Sequence, residues 1–211
     1  MPGYLDDILK LTVGLLSVLN PLGVIPIFIS LTESFSEDKV KSMSTSCGVA
    51  VSVTLTISLL MGQHILDFFG ISLASFSIGG GILIFTMGMQ MISASHTPSK
   101  MTLEEAEGID PKEIGIVPLA IPLLVGPGSI STAIIYSNKI NDTIHWMAAV
   151  GVLIFSGVLI KIILHYSKAI GKRLGTLGLN VMTRVMGLII LSISIEMVAN
   201  GIKVILPGLA S

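Results

Sequence analysis

Two short segments carry most of the residues that could do chemistry inside an otherwise apolar chain. The first is Asn20-Pro21-Leu22-Gly23, followed by Pro26; the second is Pro122, Gly126-Pro127-Gly128-Ser129, Ser131 and Thr132, with Pro118 just upstream. Neither holds a charged side chain. Proline lacks an N–H and clashes with the preceding helical turn, so each segment should break a helix. Asn20 before Pro21 reads as an N-cap with proline at the first helical position, from which a second short helix would restart. A break frees N–H groups at one half-helix start and carbonyls at the other's end. Helix starts favour a carboxylate, and carbonyls can take an ammonium group. The chemistry implied is reversible binding of a small zwitterion by dipoles and hydroxyls, with Gly23, Gly126 and Gly128 leaving room for close backbone approach.

The competing explanation is that proline and glycine merely kink membrane helices. It suffices for one isolated break. Two breaks at related positions favour a site, and the two are related. Asn20-Pro21-Leu22-Gly23 falls on Gly126-Pro127-Gly128-Ser129 at an offset of 106, and Ser77-Ile78-Gly79-Gly80 falls on Arg184-Val185-Met186-Gly187 at 107.

The elements that position these residues follow from hydropathy. The chain has 211 residues, 52% hydrophobic and only 12% charged, against roughly 25% charged in a soluble domain. It needs lipid as solvent. Six runs suit a span of roughly 20 apolar residues: Leu11–Thr32, Ser42–Leu66, Ser72–Ser93, Ile114–Asn138, Thr143–Ile160 and Val181–Leu206. The predicted fold is an all-α polytopic membrane protein. Residues 1–93 form a first three-helix repeat, 94–114 a charged cytoplasmic connector, and 115–211 a second repeat. Three spans is an odd number, so the halves insert with opposite topology, and spans 1 and 4 are the discontinuous ones. Inverted repeats with matched interrupted helices point to a secondary transporter with a midplane site.

Lys and Arg set the orientation. Lys10, Lys139 and Lys203 fall on one side; Lys39, Lys41, Lys100, Lys112, Lys161, Lys168, Lys172, Arg173 and Arg184 fall on the other. Both termini should therefore face outward. The net charge of −1 gives no reason to expect a nucleic-acid partner. The lone Cys47 excludes an intrachain disulfide, and His64, His96, His145 and His165 sit near span ends without metal-ligand spacing. No metal, cofactor or catalytic residue is assigned. Arg184 reads first as a snorkelling residue. Glu196, 12 residues on and roughly 18 Å along a helix, is a membrane carboxylate and so a functional candidate. Both are secondary site candidates.

The motifs Asn20–Phe28, Pro118–Ser131 and Thr183–Leu188 resemble the MarC/SnatA family of bacterial and archaeal inner-membrane proteins, over essentially the whole chain. The resemblance implies transport of small neutral amino acids such as glycine and alanine, driven by a proton or sodium gradient, in either direction. It implies the bilayer as environment, and a homo-oligomer would be compatible with it. Relatives often carry a basic residue where Ser77 stands. Two alternatives are an intramembrane enzyme, with Ser129 or Ser131 as nucleophile and His145 or His165 as base, and a channel-type protein without coupled transport. The first needs nucleophile and base within hydrogen-bond reach.

Overall fold

A computed structural model describes residues 2–93, 110–138, 140 and 142–209. Most of the charged connector, with His96 and Lys100, lies outside the described residues, as does Lys139. Among the described residues the chain is helical without strands: α1 (Pro2–Leu19), α2 (Ile25–Leu31), α3 (Glu37–Phe68), α4 (Leu73–Ser93), α5 (Pro111–Ile114), an irregular wide-turned α6 (Gly115–Leu124), α7 (Pro127–Ser137), α8 (Thr143–His165) and α9 (Ser167–Ile205). A single turn, Pro207–Leu209, follows.

Among the described residues four helices are long and apolar enough to cross a membrane: α3, α4, α8 and the Leu177–Ile205 part of α9. A bent pair, Pro111–Leu124 with α7, closes at 68° and can serve as a fifth span. The first predicted run divides into α1 and the 7-residue α2. α1 starts at Pro2 and so takes in Asp6, Asp7 and Lys10, which is why it does not count among the apolar spans.

Helix ends follow local chemistry. α3 opens with Glu37 and Asp38 in its first turn, where carboxylates complement the helix dipole. It closes in a Schellman turn: Ile71 N–H donates to Leu66 O at 2.9 Å and Gly70 N–H to Asp67 O at 3.0 Å. Gly70 supplies the positive φ (66°) this turn requires. In α9, Gly175 (φ 64°) interrupts the helix, separating a basic first segment with Lys168, Lys172 and Arg173 from the apolar part. Many hydroxyls within the helices, including Thr56, Ser58 and Ser156, donate to the carbonyl four residues back, which satisfies them where no water is present.

α8 is capped by Asp142, whose carboxylate accepts the His145 N–H at 2.7 Å and meets the His145 ring Nδ1 at 2.8 Å. The backbone bond first, then the ring bond, hold its carboxyl below its ordinary 3.8. A depressed folded value means the cap contributes fully above the ordinary value and is lost as pH falls through the depressed one. Trp146, the only tryptophan, lies in the same turn. Its emission should shift as the turn frays below about pH 4. Asp142→Asn, which caps without titrating, should remove that acid shift; an identical shift in the variant would locate the transition elsewhere.

The core lies between α1, α3, α8 and the second broken pair, around Leu15, Leu19, Phe28, Met43, Cys47, Leu55, Leu119 and Leu153. α3 packs on α8, and α4 on α9, as the two most extensive helix pairs. Both pairs meet through small residues, which let backbones approach closely. A Cβ on Gly48 would lie 2.5 Å from Gly157 O, and Gly88 and Gly187 face each other across α4 and α9. The Lys168 ammonium donates to Phe35 O at 2.9 Å, which ties the α2–α3 turn to the start of α9 on one face of the molecule.

Candidate functional site

The two breaks meet. One cavity of about 40 Å³ is lined by Asn20 and Gly23 from the first break and by Gly126 and Ser129 from the second. Its remaining walls are apolar and include Met87 and Met91 of α4 and Ile190 of α9. Among the described residues no charged side chain lines it.

The second break is built by prolines. Val117 and Ile121 take extended backbone angles (φ −130° and −125°), as residues preceding proline do. The Val117–Pro118 and Ile121–Pro122 bonds are cis. The wide turn closes with Val125 N–H donating to Ala120 O at 2.7 Å. Helix geometry resumes with Gly126 as N-cap and Pro127 at the first position. The N–H groups of Gly128 and Ser129 then lie in a first turn, which has no carbonyl four residues back within the helix.

The first break differs from the predicted form. Asn20 does not cap a helix starting at Pro21. It ends α1, donating its N–H to Leu16 O at 3.0 Å, and takes a left-handed conformation with φ 44°. The restart waits until Ile25, with Val24 as N-cap and Pro26 in the first turn. The Asn20 side chain folds over the intervening turn, where Oδ1 accepts the Gly23 N–H at 3.3 Å. The same N–H donates to the Asn20 backbone O at 3.0 Å, which closes the turn. The amide nitrogen Nδ2 is sealed from solvent and has no hydrogen-bond partner among the described residues. Leaving such a donor unmade costs about 1–3 kcal/mol. Gly23 is what makes room for it: a Cβ there would come 2.5 Å from Nδ2.

The expected hydroxyls are otherwise engaged. Ser129 donates to Gly126 O at 3.0 Å, Thr132 to Gly128 O at 2.8 Å, and Ser131 shares a 3.1 Å bond with Ser77 of α4. Only Ser129 of these reaches the cavity wall. Gly128 is a packing residue, its absent Cβ replaced by Val18 at 2.9 Å and Met197 Sδ at 3.0 Å. Pro21, Pro26, Pro122 and Pro127 shape the breaks without lining the cavity. Arg184 and Glu196 are exposed on α9, and Glu196 accepts from Asn200 Nδ2 at 3.0 Å. His165 stacks edge-on against Tyr166.

The α4 wall was not foreseen. Ile84, Met87 and Met91 recur at three- and four-residue spacing and so share one helix face. In a helix apolar on every side that spacing does not distinguish a cavity wall from a lipid-facing strip.

Comparison with known proteins agrees over nearly the full length. Residues 5–206 match the MarC family of integral membrane proteins. A UPF0056 membrane protein of Pyrococcus abyssi is 38% identical over 193 residues, 92% of each chain. The UPF0056 membrane protein YhcE of Escherichia coli is 35% identical over 201 residues, 95% of this chain and 94% of its own. One from Methanocaldococcus jannaschii is 34% identical over 192 residues, 90% of this chain and 93% of its own. No solved structure matches the chain.

Proposed function

The chain belongs to the MarC family of integral membrane proteins, and on that premise we propose that it is a secondary transporter of small neutral amino acids, not an enzyme. The observation that carries the reading is a cavity bounded by both helix breaks and, among the described residues, lined by no charged side chain. On one side α1 ends, so the last carbonyls of the helix have no N–H four residues on within it; on the other the first N–H groups of α7 have no carbonyl four residues back within it. The partial charges at these ends are opposite. A zwitterion can lie between them. Residues with net charge would meet no countercharge, and large side chains exceed a space of about 40 Å³. The flexible thioethers of Met87 and Met91 suit small variation in side-chain shape.

The six-span inverted repeat belongs to the same proposal. Exchanging the halves turns the α4–α7 contact into α9–α2 and the α1–α8 contact into α6–α3, and leaves α3–α8 and α4–α9 as they are; every one of these contacts exists. The shared face of the α2–α3 turn and the α9 start fits four crossings between them. Lys and Arg then assign that face to the cytoplasm and both termini to the outside of an inner membrane. Alternating access would come from one repeat moving against the other, with a proton or sodium gradient as the driving force.

Purified protein in liposomes should exchange labelled glycine or alanine across the bilayer under an imposed proton or sodium gradient. Absence of flux for every small neutral amino acid under both gradients would refute the transport reading.

A further inference from the structure

We propose that the Asn20 carboxamide is the group that reads the ligand's carboxylate, so that the site selects α-carboxylates over otherwise identical amines. This inference rests on the transport reading and names the chemistry of its site. The placement of one side chain points to Asn20. Its backbone takes φ 44° just after α1, a left-handed conformation that asparagine tolerates at helix ends. Its oxygen is committed to the Gly23 N–H. That leaves the two N–H bonds of Nδ2, buried without a partner among the described residues, in a residue that lines the cavity. Gly23 is the one residue type that tolerates Nδ2 where it stands.

A donor held in this way recognises acceptor oxygens and cannot bind an ammonium. Across the same cavity, Ser129 lies in the first turn of α7, where backbone N–H groups also seek an acceptor. Ser129 spends its hydroxyl hydrogen on Gly126 O, so it adds no competing donor. No cationic side chain lines the cavity. A single carboxylate held by an amide and a helix start, without arginine or lysine, suits a ligand whose total charge is zero.

The test is a binding series on the purified full-length protein, using thermal stabilisation, with glycine, alanine, and the carboxylate-blocked glycinamide as probes. Asn20→Gly is the better variant, because glycine keeps φ 44° without strain while alanine would not. Wild-type protein should prefer glycine to glycinamide. Asn20→Gly should weaken glycine about 10- to 100-fold, the loss of one hydrogen bond to a charged group, and leave glycinamide unchanged. Asn20→Asp, which keeps the contact to Gly23 and turns the donor into an acceptor, should lose glycine as well. Unaltered glycine affinity in Asn20→Gly would overturn the assignment while the transport reading stood. Equal losses for glycine and glycinamide would overturn it too, since the amide would then read another part of the ligand. A wild-type protein that binds none of the probes would remove the transport reading and the assignment together.

Discussion

Gly80→Ala is expected to stop flux almost completely, while Gly79→Ala leaves it near the wild-type rate. The two residues are adjacent in α4 and indistinguishable by composition. Their surroundings differ completely. A Cβ on Gly80 would collide with the ring of Pro127, the first residue of α7, whereas a Cβ on Gly79 would meet nothing within 4 Å. Pro127 cannot rotate aside, because its ring is part of the backbone that restarts the helix at the second break. The added methyl must push α4 away from α7 or displace the break itself. Overpacking of this kind costs about 1–3 kcal/mol, against a gain of about 1 kcal/mol from replacing glycine in a helix. Gly79→Ala takes the gain without the cost. The pair is measured by flux in liposomes and by melting temperature in detergent. Equal behaviour of the two variants would mean that the α4–α7 contact does not hold the site.

The larger effect on stability should come from the crossing of α3 and α8. A Cβ on Gly157 would run into the carbonyl of Gly48 and the hydroxyl of Ser52; one on Gly48 would lie 2.5 Å from Gly157 O and 2.9 Å from Lys161 Cβ. Two of these obstacles are backbone atoms, so no rotamer change relieves them. Gly157→Leu should leave little folded protein after extraction, seen as loss of the monodisperse peak. Gly157→Ala should lower the melting temperature, and Gly151→Ala on the open side of the same helix should not. Gly48→Ala and Gly157→Ala should cost less together than the sum of their separate costs, because the first forces the helices apart and the second meets space already made. Such coupling is expected only for residues in contact; strict additivity would show that the two glycines do not share one crossing.

Gly128 carries a related lesson. It stands in the second break and reads as a place for ligand approach. Its missing side chain is in fact filled by Val18 and Met197, so α1 and α9 are locked onto the break through it. Bulky substitution there tests packing, whereas Asn20→Gly tests recognition.

Much of this was readable in the sequence by itself. The cost of charge in lipid and the missing N–H of proline act residue by residue, so the apolar helices and the two breaks follow from composition and spacing. The pairing of the breaks by a constant offset needed no coordinates either. Other features depend on where helices meet. Asn20-Pro21 has the local signature of a helix start, yet Asn20 ends α1 and the restart falls at Ile25, because the turn is closed by the Asn20 amide over Gly23. Ser129, Ser131 and Thr132 look like ligand groups until Ser129 and Thr132 are found donating to carbonyls and Ser131 sharing a bond with Ser77. Met87 and Met91 become cavity walls, and Gly80 becomes different from Gly79, only when α4 settles against the second break. Local chain chemistry fixed where the helices break; the packing of distant segments decided which broken ends face each other and left a side-chain donor, Asn20 Nδ2, without a partner among the described residues.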